Sequence, residues 1–323
     1  MFDLTNKQEI MPFVVLYKNA LKDPEKILEI AKISEKRENP LEGETVWEDW
    51  YDFGIQAQFQ KSSRNSDSEV ELFNTLDELI NAGYSEYIKE WVTEENLKRY
   101  RSNNHDHWKE VFGGIVTDWD YKKSDTVLEE DFETCTDVMN VDGSSGWIES
   151  SISISKHNPN TNKKYAIGYH LDSSGEIITP GPKAILTATI YLNDDYEGGG
   201  VSFLNEFEDT IINYKPSAGD LMIFPSAKPF FHAALPLSGG LPKYFARHFL
   251  TWKHVGSKEW QNGVKEHGED FFSKLYTEIR KKENAMGFYT KSVFLPGEEF
   301  SSSQHGFPFF AKKVIDWNDV SGR

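Results

Sequence analysis

In His170-Leu171-Asp172 an imidazole and a carboxylate stand two positions apart, so on an extended strand they share one face while Leu171 turns to the other. Such a pair can supply two ligands to a metal. By itself the triplet is weak, because nine histidines among 52 acidic residues in a chain of 323 give about one such spacing by chance. His267-Gly268-Glu269 is a second, and it reads as the acidic opening of a C-terminal helix with no later strand to bring a third ligand. What distinguishes the first is His232, on a later strand of the same block. Two histidines and one carboxylate make a facial triad, which leaves positions on a non-haem Fe(II) open for a chelating co-substrate and dioxygen. Lys243 stands on the next strand and Tyr191 ends an earlier one. A cation and a phenol placed there suit the far carboxylate of a bound diacid.

The remaining candidates read as structural. His105-Asp106-His107 falls in a polar stretch between helices, and Glu129-Glu130-Asp131 is a solvated acidic turn. Cys135 is the single cysteine, which excludes an internal disulfide and any cysteine-built zinc or iron–sulfur site; with no histidine at a motif spacing it reads as an inert thiol. His157 suits the pocket and the surface equally. His248 and His254 read as packing or surface residues.

These residues need strands to position them. From Trp147 the apolar period is two, and strand-like runs follow: Ile148 to Ile154, Tyr165 to His170, Ala184 to Leu192, Gly199 to Leu204, Thr210 to Lys215, Asp220 to Phe224, Phe230 to Ala234 and Lys243 to Trp252. Turn chemistry such as Pro180-Gly181-Pro182 and Gly198-Gly199-Gly200 separates them, and no helical pattern intervenes. Residues 146–255 therefore read as a mainly β core, a double-stranded β-helix or jelly roll. Residues 1–145 read as a mainly helical support. One helix opens at Asp23-Pro24; a second opens at Ser68 with Glu71 as a capping box and closes at Gly83. Short helices over Tyr87 to Trp91 and Leu97 to Trp108 are expected to follow. Residues 256–323 read as a helix carrying Phe271, Phe272, Leu275, Tyr276 and Ile279, then an aromatic tail from Phe307 to Trp317.

Composition bounds the partners. The chain is 38% hydrophobic and 14% aromatic, enough for a sizeable core, and its formal charge is −17. With no basic patch in the sequence, that charge repels phosphate backbones and anionic lipid, so no nucleic-acid or membrane partner is expected. The start, Met1 to Phe13, lacks a signal-like apolar run, and Ala184 to Leu192 is far short of a bilayer span, so a cytoplasmic location is expected.

From about Trp147 to Trp252 the chain resembles the prolyl 4-hydroxylase family of 2-oxoglutarate- and Fe(II)-dependent dioxygenases. The matching pieces are Tyr169-His170-Leu171-Asp172, Thr187 to Asn193, Glu197 to Phe203, Lys215-Pro216 through Phe224-Pro225, and His232 with Pro236, Gly240 and Lys243-Tyr244. The resemblance implies iron held by His170, Asp172 and His232, and the C5 carboxylate of 2-oxoglutarate held by Lys243 and Tyr191. Arg247, four residues on and on the same side of the strand, is the alternative clamp. Where the family often has an arginine seven residues before the strand tyrosine, this chain has Ala184. The resemblance further implies O2 as oxidant, ascorbate as a reductant, and 4-hydroxylation of a prolyl residue in a peptide or protein, with succinate and CO2 as co-products. Hydroxylation of a free amino acid or other small molecule is the runner-up, and a non-catalytic binding module the reading of another class. Ser173 to Lys183, leaving the triplet, is expected to form a lid or a plain surface connection.

Overall fold

A computed structural model describes residues 2–38, 44–59, 66–91, 93, 96, 146–148, 152–159, 164–172, 182–226, 229–253, 265–266, 268, 290–299 and 307–321. In the N-terminal part, strands β1 (Lys7–Met11) and β2 (Val14–Tyr17) precede helix α1 (Pro24–Glu35), and β3 (Trp47–Trp50) and β4 (Gly54–Phe59) precede helix α2 (Asp67–Trp91). The central strands are β5 (Gly146–Ile148), β6 (Ile152–His157), β7 (Ile167–His170), β8 (Pro182–Tyr191), β9 (Tyr196–Gly198) and β10 (Val201–Asn205). They continue as β11 (Thr210–Tyr214), β12 (Leu221–Pro225), β13 (His232–Ala234), β14 (Leu237–Gly240) and β15 (Lys243–Lys253). After these come β16 (Lys291–Phe294), β17 (Phe307–Phe310), β18 (Lys313–Asp316) and a short helix, Trp317–Val320.

Two sheets among the described residues make the core. The larger runs β1-β2-β12-β8-β15-β6-β4-β3, with β5 beside β15; the smaller runs β18-β11-β10-β13-β7. The chain passes from β6 in the large sheet to β7 in the small one, back to β8, across to β10 and β11, back to β12, across to β13 and back to β15. Neighbours within each of these quartets are antiparallel. This is the expected jelly roll, and its eight strands are those the period of two marked out.

The flanks add strands to the expected helices. β1 and β2 extend the large sheet beyond β12, and the β3–β4 hairpin extends it beyond β6. At the other end of the chain β18 joins the small sheet parallel to β11, and β16 pairs β17, so the aromatic tail is partly strand. The physical reason is edge satisfaction: the backbone donors and acceptors of an open sheet edge are paired by whatever chain lies beside them. The helix expected over Phe271 to Ile279 and that over Leu97 to Trp108 lie outside the described residues.

Helix α2 starts earlier and ends later than its sequence signals suggest. The capping box is Ser66 with Glu69: the Glu69 N–H donates to Ser66 Oγ at 3.3 Å, and the Ser66 N–H to the Glu69 carboxylate at 3.1 Å. Glu69 is buried and also held by Arg37 and Ser34, each at 2.9 Å, whereas Glu71 points outward to Lys26. The helix passes through Gly83 because the missing side chain lets it lie against Leu221, whose Cδ2 would stand 2.8 Å from an added Cβ. Burial of Tyr84, Tyr87 and Ile88 beyond it outweighs the cost of a helical glycine, about 1 kcal/mol. The chain from Tyr87 to Trp91 is thus the end of α2 and not a separate helix.

Candidate metal centre and its cleft

Alternation along β7 decides which side chains enter the core. Tyr169 and Leu171 turn to the outer face of the small sheet, where they pack with Phe231, Val293 and Phe309. His170 and Asp172 take the other face. On the neighbouring strand β13, Phe231 and Ala233 are in the outer cluster and His232 is turned inward. His232 stands directly opposite His170 in the antiparallel register, with the two rings 4.5 Å apart. Tyr169 braces this arrangement from behind: its hydroxyl lies 2.6 Å from Ser202 Oγ on β10, which in turn donates to Asn213 at 2.6 Å.

The result is a compact donor set. Asp172 Oδ1 lies 3.6 Å from His170 Nε2, Oδ2 lies 3.3 Å from His232 Nε2, and one ligand atom from each residue falls within 4.8 Å of the others. The opposite ring nitrogens face backbone carbonyls, His170 Nδ1 that of Gly168 at 2.8 Å and His232 Nδ1 that of Phe230 at 3.2 Å. A proton on each Nδ1 donated there would leave both Nε2 atoms free to bind a metal. Thr187 Oγ1 donates to Asp172 Oδ2 at 2.8 Å and also contacts Ser226 Oγ at 2.9 Å. Burial would raise the Asp172 carboxyl, but His232 and His170 beside it hold it well below the usual carboxylate range. Two imidazoles and a carboxylate converging within 4.8 Å fit a non-haem Fe(II) or a similar divalent ion.

This cluster opens into a cleft between the sheets, lined also by Trp50, His157, Thr187, Thr189, Tyr191, Phe224, Lys243, Phe245 and Arg247. Along β15 the residues Lys243, Phe245 and Arg247 face it, while the alternate positions Tyr244 and His248 meet Glu35 and Tyr84 on the helices behind. Lys243 is buried at the closed end, with Nζ 5.1 Å from the Tyr191 ring centroid. Its ammonium donates to the carbonyl of Gly199, which sits at φ +67°, in the left-handed region that favours glycine. Desolvation pushes the Lys243 pKa down to about 7, the response of a cation that meets no counter-charge. Burial likewise raises the Tyr191 phenol well above its ordinary range, so it remains a hydroxyl.

Arg247 shares the cleft but is only half-buried. Its Cζ lies 5.2 Å from the Trp50 ring centroid and 4.9 Å from that of Phe249. His157, which the sequence left open between pocket and surface, is buried in the cleft wall among Trp50, Phe53 and Phe245. Burial, then Lys243 and Arg247, push its pKa well below the ordinary histidine value, so the ring is neutral. His248 packs against Tyr84.

All six expected site residues, His170, Asp172, His232, Lys243, Tyr191 and Arg247, thus line one cleft. Sequence reasoning missed Thr187 and Trp50. Thr187 was within reach: if Tyr191 faces inward, the period of two brings Thr189 and Thr187 inward with it. Trp50 was not, because the β3–β4 hairpin delivers it from the sheet's edge. His105, Asp106, His107, Glu129, Cys135, His254, His267 and Glu269 lie outside the described residues. So does most of the expected lid, residues 173–181, while Pro182 and Lys183 begin β8. Among the described residues no helix is long and apolar enough to cross a membrane.

Residues 155–251 match the family described as the 2OG-Fe(II) oxygenase superfamily. No curated protein matches the chain. Among solved structures, a prolyl hydroxylase from Trichoplax adhaerens, in complex with a hypoxia inducible factor oxygen degradation domain peptide fragment, is 12% identical with a TM-score of 0.40. That match covers 74% of this chain and 84% of the other. A Pseudomonas putida prolyl-4-hydroxylase is 12% identical with a TM-score of 0.37, over 74% of this chain and 93% of its own. AviO1 from Streptomyces viridochromogenes Tue57 is 10% identical with a TM-score of 0.39, over 80% and 97%.

Proposed function

We propose, from the premise that residues 155–251 are a 2OG-Fe(II) oxygenase domain, that the protein is a dioxygenase hydroxylating an unactivated carbon, with a prolyl residue of a peptide or protein as substrate and C4 as the position oxidised. The observation that carries the oxygenase reading is the opposed His170–His232 pair with Asp172, sharing one cleft with the uncompensated cation Lys243. The prolyl assignment rests on the resemblance of the strand motifs between Tyr169 and Tyr244 to prolyl 4-hydroxylases.

Iron bound by His170, Asp172 and His232 would supply dioxygen activation coupled to conversion of 2-oxoglutarate to succinate and CO2, one oxygen atom entering the substrate and the other succinate. The chain's own residues do the rest. The Gly168 and Phe230 carbonyls hold the two imidazoles with Nε2 forward, and Thr187 holds the Asp172 carboxylate in place. Lys243 and the Tyr191 hydroxyl receive the C5 carboxylate of 2-oxoglutarate at the closed end. Phe245, whose ring centroid lies 5.4 Å from Lys243 Nζ, keeps that end apolar, which strengthens the charge pairing there, while Phe224 packs edge-on against His232 at 4.8 Å. Ascorbate would be the reductant that keeps bound iron as Fe(II).

Anaerobic addition of Fe(II) and then 2-oxoglutarate to the protein tests the oxygenase reading by the visible charge-transfer band of the chelate. Absence of the band in the wild-type protein would remove it. A peptide-array screen read by mass spectrometry tests the substrate: a gain of one oxygen confined to proline supports the prolyl assignment, and oxidation confined to other residues or free amino acids replaces it.

A further inference from the structure

Among the described residues, the cleft is lined by two cations and, besides Asp172, by no carboxylate. Lys243 and Arg247 lie four residues apart on one extended strand, about 13 Å between their Cα atoms at 3.3 Å per residue. The two cations therefore rise from separate points of the cleft wall. Their settings also differ. Lys243 is buried at the closed end beside Tyr191 and Gly199, while Arg247 is half-buried over Trp50 and Phe249.

The Arg247 guanidinium lies over the Trp50 indole, Cζ 5.2 Å from the ring centroid, and its Nε is buried with no hydrogen-bond partner among the described residues. A second polar atom in the same wall is in the same condition. His157 is 1% exposed, and its Nε2 is buried and unpartnered. Buried polar atoms left without a partner are costly, so a cleft wall that carries two favours a polar group that enters it.

Charge decides what enters. If the oxygenase reading above holds, on which this inference rests, the charges of a divalent ion, Asp172, a 2-oxoglutarate dianion and protonated Lys243 cancel. Arg247 then remains as one positive charge that no carboxylate among the described lining residues offsets. A single carboxylate restores neutrality and matches the planar fork of a guanidinium, whereas a phosphate dianion overshoots.

We propose that Arg247, laid over Trp50, binds a carboxylate of the molecule to be oxidised, so that the prime substrate is an acid and Arg247 is its positioning residue. The carboxylate can belong to a free amino acid, to a peptide C-terminus or to an acidic side chain beside the reacting residue. The shared chemistry is the planar monoanion.

The test uses the full chain loaded with Mn(II) and 2-oxoglutarate under nitrogen, so that binding is read by calorimetry without turnover. Probes are offered in pairs that differ only in the carboxylate: L-amino acids against their carboxamides, glycyl-L-proline against its amide, and acetyl-Pro-Glu-amide against acetyl-Pro-Gln-amide. At least one pair should favour the carboxylate member by about tenfold or more in the wild type, and that pair names the source. Arg247→Met should abolish the preference and Arg247→Lys should retain part of it. Equal affinities within every pair, or a preference that survives Arg247→Met, would overturn the assignment. Titration of 2-oxoglutarate into the Mn(II) protein separates this outcome from the parent reading. No binding by the wild type sinks the oxygenase, whereas weaker binding in Arg247→Met than in Lys243→Met makes Arg247 the co-substrate clamp and sinks the present proposal.

Discussion

The small sheet and the large sheet carry different halves of the chemistry. Both histidines sit on short strands of the small sheet, β7 and β13, with Asp172 just past the end of one of them. Thr187, Tyr191, Lys243 and Arg247 sit on the two long strands β8 and β15 of the large sheet. The histidines meet through a single cross-strand pairing, so one register fixes them; a slip of one residue would turn either ring into the outer cluster. The cations depend only on alternation along β15, and nine paired residues with β8 fix that strand. The metal site is thus the part most sensitive to local geometry, and the cationic wall the part most sensitive to charge.

The sharpest way to break the comparison is to remove one metal ligand. His170→Ala or His232→Ala should bring 2-oxoglutarate turnover to background while far-UV and near-UV circular dichroism stay native, since neither ring is a major part of the core. Near-normal turnover in either variant would dissolve the metal assignment. On the other sheet, Lys243→Met should leave Mn(II) affinity within about twofold but raise the 2-oxoglutarate concentration for half-maximal rate at least about tenfold. Loss of a charge-assisted bond in a dry site costs on the order of 1.5–3 kcal/mol. Tyr191→Phe should do less.

The pH dependence follows from the same lysine. Its pKa of about 7 in the free protein means that the ammonium is present below that pH and lost above it. Only the protonated form pairs with a carboxylate, so 2-oxoglutarate affinity should be flat below about pH 7 and then fall by up to about tenfold per pH unit. Lys243→Arg should flatten the profile, and an unchanged slope in that variant would assign the pH dependence elsewhere.

A subtler test crosses the two sheets. Thr187 belongs to the large sheet but holds Asp172 beside the small one. Thr187→Val should weaken metal binding by about tenfold, and Thr187→Ser should recover it, since outer partners of metal ligands are worth about 10- to 100-fold in affinity. If valine and serine behave alike, the hydroxyl is not the cause. The smallest effect expected is that of Tyr169→Phe, which removes the bond to Ser202 behind His170. It should lower unfolding stability by about 1 kcal/mol in a urea titration and leave 2-oxoglutarate affinity unmoved, because the clamp lies in the other sheet.

Most of the core was legible because its signal is local. A period of two, broken by glycine and proline, marks a strand wherever it falls, and the eight marked runs are strands of the two sheets. Even the split at Leu171 was readable, since alternation alone sends it outward from His170 and Asp172. Helix α2 shows where local signals mislead. Ser68 with Glu71 and Ser66 with Glu69 are the same pattern in sequence, and only the burial of Glu69 against Arg37 and Ser34 selects one. Gly83 marks an end by its own propensity, but close packing on Leu221 carries the helix through it.

The sequence by itself determined the eight core strands, the shared face of His170 and Asp172 and the six side chains to consider for the site. Tertiary structure alone decided that His232 faces His170, that Thr187 reaches Asp172 and that Trp50 comes from a distant hairpin to lie under Arg247. It also separated two cations that alternation leaves equivalent, burying Lys243 at the closed end and leaving Arg247 half-exposed on an aromatic shelf. The reason is physical. Periodicity fixes direction relative to a strand's own axis, whereas pairing register, edge addition and depth of burial depend on contacts between residues far apart in the chain, and no local pattern encodes those.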